Sequence, residues 1–417
     1  MILEFPYADL QISLDPKDKE KIFFLHPHFP DSGLYTYDSQ ILEHPTLRLR
    51  SNLKNQIQRA TYVREGPSKH TILVYGVLAL IVAALLLVWL GNNAILGYVV
   101  RQLPPSFEDI QAASERIRPI AKRTPVMTSR GFNFEAGITA FFKCENFQTG
   151  GAFKIRGAAN FLRSIPKADV SRGVVAFSSG NHAQGVAIAA RDLGVKATIV
   201  MPEDSPKCKM AGTRAQGAEI VIYDRFKDDR AEIGARIAKE TGATLVPPFD
   251  HPWIIAGQGT TALELLEEAP DLDAIVVPIG GGGLMSGCSI AARHLRPGMR
   301  VIGVEPAAAN DAALSMAAGK RVEIAPPDTI ADGLRVPMLG ELTFSIIKEN
   351  VDQVVLVTDD EIRAAVKWLL TRMKILVEPS GAATVAAALF NKLPAGINRI
   401  GLVISGGNVD FEVLTGF

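Results

Sequence analysis

Two kinds of hydrophobic pattern divide this chain. Between Thr71 and Val100 there is no charged residue, and positions 72–90 are apolar on every helical face, with Tyr75 and Trp89 near the ends. A helix of about 20 apolar residues reaches across a bilayer core, and amphipathic rings favour its interfaces. The pattern therefore predicts one transmembrane helix over 72–90, inside a segment 71–100. Beyond about residue 120 the apolar runs become short: 174–177, 197–201, 219–223, 274–278, 301–304 and 399–404. Helical periodicities, such as 231–240 and 361–373, fall between them. Short continuous apolar strands alternating with helices predict an α/β fold of open, mostly parallel sheets covered on both faces.

Residues 1–70 show no sustained period. Scattered aromatics and Pro6, Pro16, Pro27 and Pro30 suggest a small β-rich or irregular module. Leu103-Pro104-Pro105-Ser106 ends whatever precedes it, and the Ser106/Asp109 spacing with Ile110, Ala113 and Ile117 predicts a capped amphipathic helix. The expected organisation is a module at 1–70, a membrane segment at 71–100 and a catalytic region at 101–417.

Charge narrows the partners. The 417 residues carry 44 basic and 44 acidic side chains, so no basic excess exists for a nucleic acid. Cys144, Cys208 and Cys288 are too dispersed for a disulfide framework or a metal spacing. Lys54, Arg59, Arg64 and Lys69 precede the apolar segment while only Arg101 follows it closely, which by charge would keep the N-terminal side in the cytoplasm. The chemistry below favours a cytoplasmic catalytic region instead, and the expectation follows the chemistry.

Polar and glycine clusters stand just after predicted strands, where open α/β sheets bind ligands. They are Ser178-Ser179-Gly180-Asn181-His182, Gly280-Gly281-Gly282-Gly283 and Ser405-Gly406-Gly407-Asn408; a further stretch, Gly150 to Ala158, sets Lys154 among small residues. A lysine amine can link covalently to an aldehyde, and glycine backbone amides can close on a phosphate. Together they point to pyridoxal phosphate (PLP). Met285 and Ser286 stand where a dinucleotide fingerprint needs its third glycine, Arg321 follows Gly319-Lys320 where a P-loop needs Ser or Thr, and no His-Glu-x-x-His occurs.

With these motifs in this order, residues from about 106 to 417 resemble the serine/threonine dehydratase branch of the fold-type II PLP enzymes, which includes serine racemase and threo-3-hydroxyaspartate ammonia-lyase. The resemblance implies two open α/β domains with the cofactor between them, and a homo-oligomer. It implies that Lys154 carries the cofactor and exchanges protons at Cα, that Phe153 and Gly333 lie on opposite faces of the ring, and that Asn181 bonds the ring oxygen. Ser179, Gly180 and His182 would receive the substrate carboxylate, with Ser179 also placed as an opposite-face base. Gly280, Gly281, Gly282, Gly283 and Leu284 would hold the phosphate at a helix N-terminus. Ser405 would meet the pyridine nitrogen; a neutral hydroxyl there makes a weaker electron sink, which suits β-elimination. Glu305, the Ala309 carbonyl and Asp311 have the spacing of the racemase-like divalent-cation site, suited to Mg²⁺ or Ca²⁺.

The implied activity is removal of water and ammonia from a small β-hydroxy amino acid, L-threonine or L-serine, giving 2-oxobutanoate or pyruvate. Alternatives are threo-3-hydroxyaspartate ammonia-lyase and serine racemase. Gly150-Gly151-Ala152 before Phe153 is similar to the hydroxyaspartate lyases, whereas Asp332-Gly333-Leu334-Arg335 is similar to the dehydratases. A membrane-tethered, catalytically dead scaffold is the non-enzyme alternative; Lys154, Asn181 and Ser405 argue against it. The first hundred residues resemble the membrane lead-in of M48-type metallopeptidases, without the peptidase motif.

Overall fold

The computed structural model describes residues 11–14, 22–26, 29–36, 103–225 and 227–416. The predicted span at 72–90 lies outside the described residues; among those described, no helix is long and apolar enough to cross a membrane. The chain divides into two units, 1–93 and 94–417. In the first, β1 (Gln11–Leu14), β2 (Ile22–His26) and β3 (Phe29–Thr36) form an antiparallel meander, with a register shift between Phe24 and His26.

The second unit opens on the predicted helix, Phe107–Ile117. Both reciprocal bonds of its capping box form, Asp109 N to Ser106 Oγ at 3.2 Å and Ser106 N to Asp109 Oδ2 at 2.8 Å. Its Phe107, Ile110, Ala113 and Ile117 are buried. The strands that follow are β4 (Val126–Thr128), β5 (Thr139–Cys144), β6 (Val174–Phe177), β7 (Ala197–Pro202), β8 (Glu219–Tyr223), β9 (Thr244–Leu245), β10 (Ala274–Pro278), β11 (Arg300–Pro306), β12 (Gln353–Val357) and β13 (Arg399–Ile404).

They build two sheets. One has the order β12-β11-β10-β13-β5-β4, parallel except for the β4–β5 pair; the other, β8-β7-β6-β9, is parallel throughout. All five residues of β10 and all six of β7 are buried, because helices cover both faces. At the edge, β8 has two exposed positions among its five. The short apolar runs were legible as strands for this reason. Strands β4, β5, β9 and β12 were not: β4 and β9 are three and two residues long, Lys143 interrupts the apolar run of β5, and β12 sits between polar neighbours.

Helix Pro252–Glu268 runs between the lobes, with thirteen of its residues buried. It packs on helices Lys154–Ser164 and Gly283–Leu295 at backbone contact: a Cβ on Gly287 would lie 2.2 Å from the Ile255 carbonyl oxygen. The sheets therefore share a wall, and the carboxyl ends of β6, β10 and β13 all lead into one cleft.

Candidate active site

Lys154 is the first residue of helix Lys154–Ser164, and the chain before it is set by a β-bridge across the molecule. Ala152 pairs with Gly406, Phe153 N donates to the Ser405 carbonyl at 3.1 Å, and Gly407 N donates to that of Gly151 at 2.8 Å. Gly150 and Gly151 both adopt positive φ, 75° and 72°, and a Cβ on Gly151 would lie 2.3 Å from Asn408 Oδ1. The glycine pair is thus required for Lys154 and Ser405 to stand side by side.

Behind Lys154, two residues on, Arg156 is fully buried. Its guanidinium bonds Glu145 (2.7 and 2.8 Å), Glu264 (2.7 and 2.7 Å), Thr260 and the Lys122 carbonyl. Lys143 Nζ reaches Glu264 at 2.6 Å. Burial works against the guanidinium's charge, but Glu145 and Glu264 outweigh it and hold Arg156 above its ordinary pKa. Two cations and two anions balance in a dry cluster, which fixes the start of the lysine helix.

Two lysines line the cleft, and their surroundings separate them. Lys154 Nζ donates to the Pro248 carbonyl at 2.9 Å and stands 5.2 Å from the Phe153 ring centroid. No carboxylate bonds it, and burial lowers its pKa to about 8. Lys209 Nζ is paired with Asp332 at 2.6 Å and Glu378 at 2.9 Å. Burial opposes its charge, but Glu378 and then Asp332 prevail and hold it protonated. Of the two, Lys154 is the one whose amine is freed near pH 8, as an aldehyde cofactor requires.

Asn181 begins helix Asn181–Asp192, directly after Ser178, Ser179 and Gly180. Its Nδ2 donates to Glu378 Oε1 at 2.6 Å, and its Oδ1 accepts from Asn408 Nδ2 at 2.9 Å. One amide hydrogen remains for an acceptor in the cleft. Ser179 and Gly180 line the same space. His182 lines it too, but its Nε2 faces the Val246 carbonyl at 3.3 Å, and burial followed by the Lys154 charge lowers its pKa to about 3. The imidazole is therefore neutral and brings no positive charge to the cleft.

Gly280, Gly281, Gly282, Gly283 and Leu284 form the cleft wall at the start of helix Gly283–Leu295. The loop is pressed on its far side against Phe249 and Thr343: a Cβ on Gly281 would lie 2.2 Å from the Phe249 ring, and Gly282, at φ 91°, has Thr343 Cβ 2.8 Å from such an atom. Helix N-terminal amides lack intrahelical acceptors, so this wall suits an anion. Gly333 N donates to Ser380 Oγ at 2.9 Å, and Gly333 and Ser405 face the cleft with Phe153. An amine that gives up its proton readily, a glycine-walled helix start, an amide donor and a hydroxyl make a donor set that fits a phosphorylated pyridine aldehyde.

The residues proposed for a cation come together in part. Glu305 and Asp311 are both buried, as is Ala309. Burial and then the Asp311 charge push Glu305 up to about 8, and burial pushes Asp311 up to about 7. Glu305 also accepts the Ala312 and Ala313 amides, at 3.0 and 2.9 Å, while Asp311 Oδ2 is buried without a hydrogen-bond partner. That orphaned oxygen beside a second acid fits a hard divalent ion, although no group of three or more His, Cys, Asp or Glu forms a metal cluster among the described residues.

Sequence reasoning passed over Lys209, Glu378 and Arg230, and gave Asn408 a place in a cluster but no role. Lys209 reads as an ordinary helical lysine, and only its pairing with distant acids betrays it. Glu378, a lone acid before Pro379 and an alanine-rich helix, was the available signal.

Comparison with known proteins agrees with this arrangement. The family model described as pyridoxal-phosphate dependent enzyme matches residues 117–406. Serine racemase of Schizosaccharomyces pombe is 50% identical over 308 residues, covering 74% of this chain and 95% of that protein. L-threo-3-hydroxyaspartate ammonia-lyase of Saccharomyces cerevisiae is also 50% identical over 308 residues, covering 74% and 94%. The solved structure of maize serine racemase matches with a TM-score of 0.73 at 43% identity, over 75% of this chain and 97% of that one.

Proposed function

The chain belongs to the pyridoxal-phosphate dependent enzyme family, in its ammonia-lyase and racemase branch, and from that premise we propose that it is an ammonia-lyase preferring L-threo-3-hydroxyaspartate. The observation that carries this preference is a pair of arginines at the cleft. Arg230, with its guanidinium carbon 5.6 Å from the Phe177 ring centroid, lines it from the four-stranded lobe; Arg335, bonded through Nε to the Thr329 carbonyl at 2.6 Å, lines it from the six-stranded lobe. Among the described residues neither belongs to any of the arginine ion pairs. A dicarboxylic substrate supplies a second anion for these cations, whereas the hydrogen or methyl group of serine or threonine leaves them unaddressed. This reading replaces the threonine/serine preference expected from the sequence.

PLP, when bound, supplies the electron sink that lets the Cα–H bond break. The Gly280–Gly283 wall would hold its phosphate, Asn181 its ring oxygen and Ser405 its ring nitrogen. Lys154 Nζ would take the Cα proton, a role suited to an amine that burial holds below the ordinary lysine range. The β-hydroxyl leaves as water, and hydrolysis then yields oxaloacetate and ammonia. Glu305, Asp311 and the Ala309 carbonyl would hold Mg²⁺ or Ca²⁺. Ser179, lining the same cleft as Lys154, supports a second reading in which serine is also racemised, since two proton carriers bound one space.

The test is oxo-acid release from L-threo-3-hydroxyaspartate, L-threonine and L-serine, with D-serine formation followed in parallel, with and without Mg²⁺. Highest kcat/KM on the dicarboxylate is expected. Equal or higher kcat/KM on threonine would overturn the substrate assignment, and D-serine as the main product would move it to racemase.

A further inference from the structure

We propose that Lys209 is a positioning residue: its ammonium ties the two lobes across the cleft and thereby holds Asn181 and Gly333 in register with each other. The inference rests on the cofactor reading of those two residues. Lys209 is the third residue of helix Lys207–Ala215 in the four-stranded lobe, and its side chain is 1% exposed. It runs beneath the Ser179–Gly180 turn so closely that a Cβ on Gly180 would lie 3.0 Å from Lys209 Cδ and 3.5 Å from Nζ. Its partners belong to the other lobe. Glu378 precedes helix Pro379–Leu389, and Asp332 begins the short turn that carries Gly333.

Each partner hands the constraint to a residue of the site. Glu378 Oε2 forms an ion pair with Lys209 Nζ at 2.9 Å while its Oε1 accepts from Asn181 Nδ2, so the ammonium anchors the carboxylate to which the asparagine amide is bonded. Asp332 places the Gly333 backbone, which Ser380 grips from the next helix. The same helix end is bonded across the lobes a second time, because Asp410 accepts the amides of Lys207 and Cys208 at 3.0 and 2.8 Å. A lysine withdrawn from water at a ligand cleft is costly unless its bonds are specific. Without the ammonium, burial would favour a protonated Glu378, and a carboxyl proton would then compete with Asn181 as a donor.

The test uses the full chain and the double variant Lys209→Met/Glu378→Gln. Removing one cation and one anion together leaves the local net charge unchanged, and the glutamine oxygen still accepts from Asn181. Hydrogen exchange is measured without added cofactor, and PLP affinity by absorbance titration. Faster exchange at 178–182, 207–215 and 331–335 together is expected, with PLP affinity lower by at least about tenfold, equivalent to ~1.4 kcal/mol. Wild-type exchange in those segments, with wild-type affinity, would overturn the proposal. Should the double variant melt, Asp332→Asn cuts one arm at a carboxylate that is 25% exposed; faster exchange at 331–335 supports the tie, and unchanged exchange sinks it. A wild-type chain that shows no PLP absorbance band would defeat the cofactor reading instead, and the exchange arm would still decide the tie.

Discussion

The cluster around Arg156 and the cluster around Lys209 are both buried and ionic, yet they are built to opposite ends. Arg156 and Lys143 face Glu145 and Glu264, two charges against two, sealed behind the lysine helix. Lys209 stands alone between Asp332 and Glu378, one cation against two anions, on the cleft itself. A balanced, dry cluster has one low-energy arrangement and serves as an anchor. An unbalanced cluster open to a ligand keeps a bond to give, here the remaining amide hydrogen of Asn181. Lys154 sits between the two and belongs to neither, which is why its amine is available.

That contrast predicts loss of function without loss of fold at Lys154, and the reverse at Arg156. Lys154→Ala should lower turnover by at least about 1000-fold and abolish the PLP absorbance band, while leaving the thermal midpoint of the cofactor-free chain near or above the wild-type value. Retained oxo-acid release would break the assignment of the amine. Arg156→Met strands Glu145 and Glu264 and should cost about 3–5 kcal/mol in denaturant unfolding. A loss below ~1 kcal/mol would mean that the quartet is no anchor.

At the mouth of the cleft the effect should be smaller and selective. Arg230→Met is expected to lower kcat/KM for threo-3-hydroxyaspartate by about 10- to 100-fold and to leave serine nearly unchanged, the worth of a charge-assisted hydrogen bond. Equal losses on both substrates would turn Arg230 into a structural residue.

The smallest effect is on pH. Because burial lowers Lys154 to about 8 against an ordinary value near 10.5, the amine is protonated below pH 8 and free above it. The rate at which cofactor-free protein takes up PLP should rise about fivefold from pH 7 to pH 8 and level off above pH 9. The same shift makes the folded state bind fewer protons than the unfolded chain between about 8 and 10.5, so it adds stability as pH rises through that window. A reconstitution midpoint near 10 would show that the amine is solvated.

Local signals were the legible ones. The capping box at Ser106 lies within a single turn, so four residues suffice to announce it. Lys154, Asn181, the glycine run and Ser405 were readable because each follows an apolar strand or accompanies glycines that nothing else explains. Lys209 carried no such mark, and Glu378 only the faint one of a lone acid before an alanine-rich helix. The Asn181–Glu378 bond joins positions 197 apart, and neither residue type is unusual in its own neighbourhood. His182 shows what sequence leaves open: its place in the turn was legible, but the burial against Val246 that keeps its ring neutral was not.

The chain's own order of residues determined the alternation of strand and helix, the glycine positions that permit positive φ or backbone contact, and the set of side chains able to carry an aldehyde cofactor. These follow from short-range sterics and from hydrophobic periodicity, which neighbouring residues express by themselves. Tertiary structure decided which of two cleft lysines gives up its proton more readily, which acids share a cation and which arginines stand at the cleft. Those properties depend on burial and on the field of distant charges, and both arise only when the two lobes close around the same space.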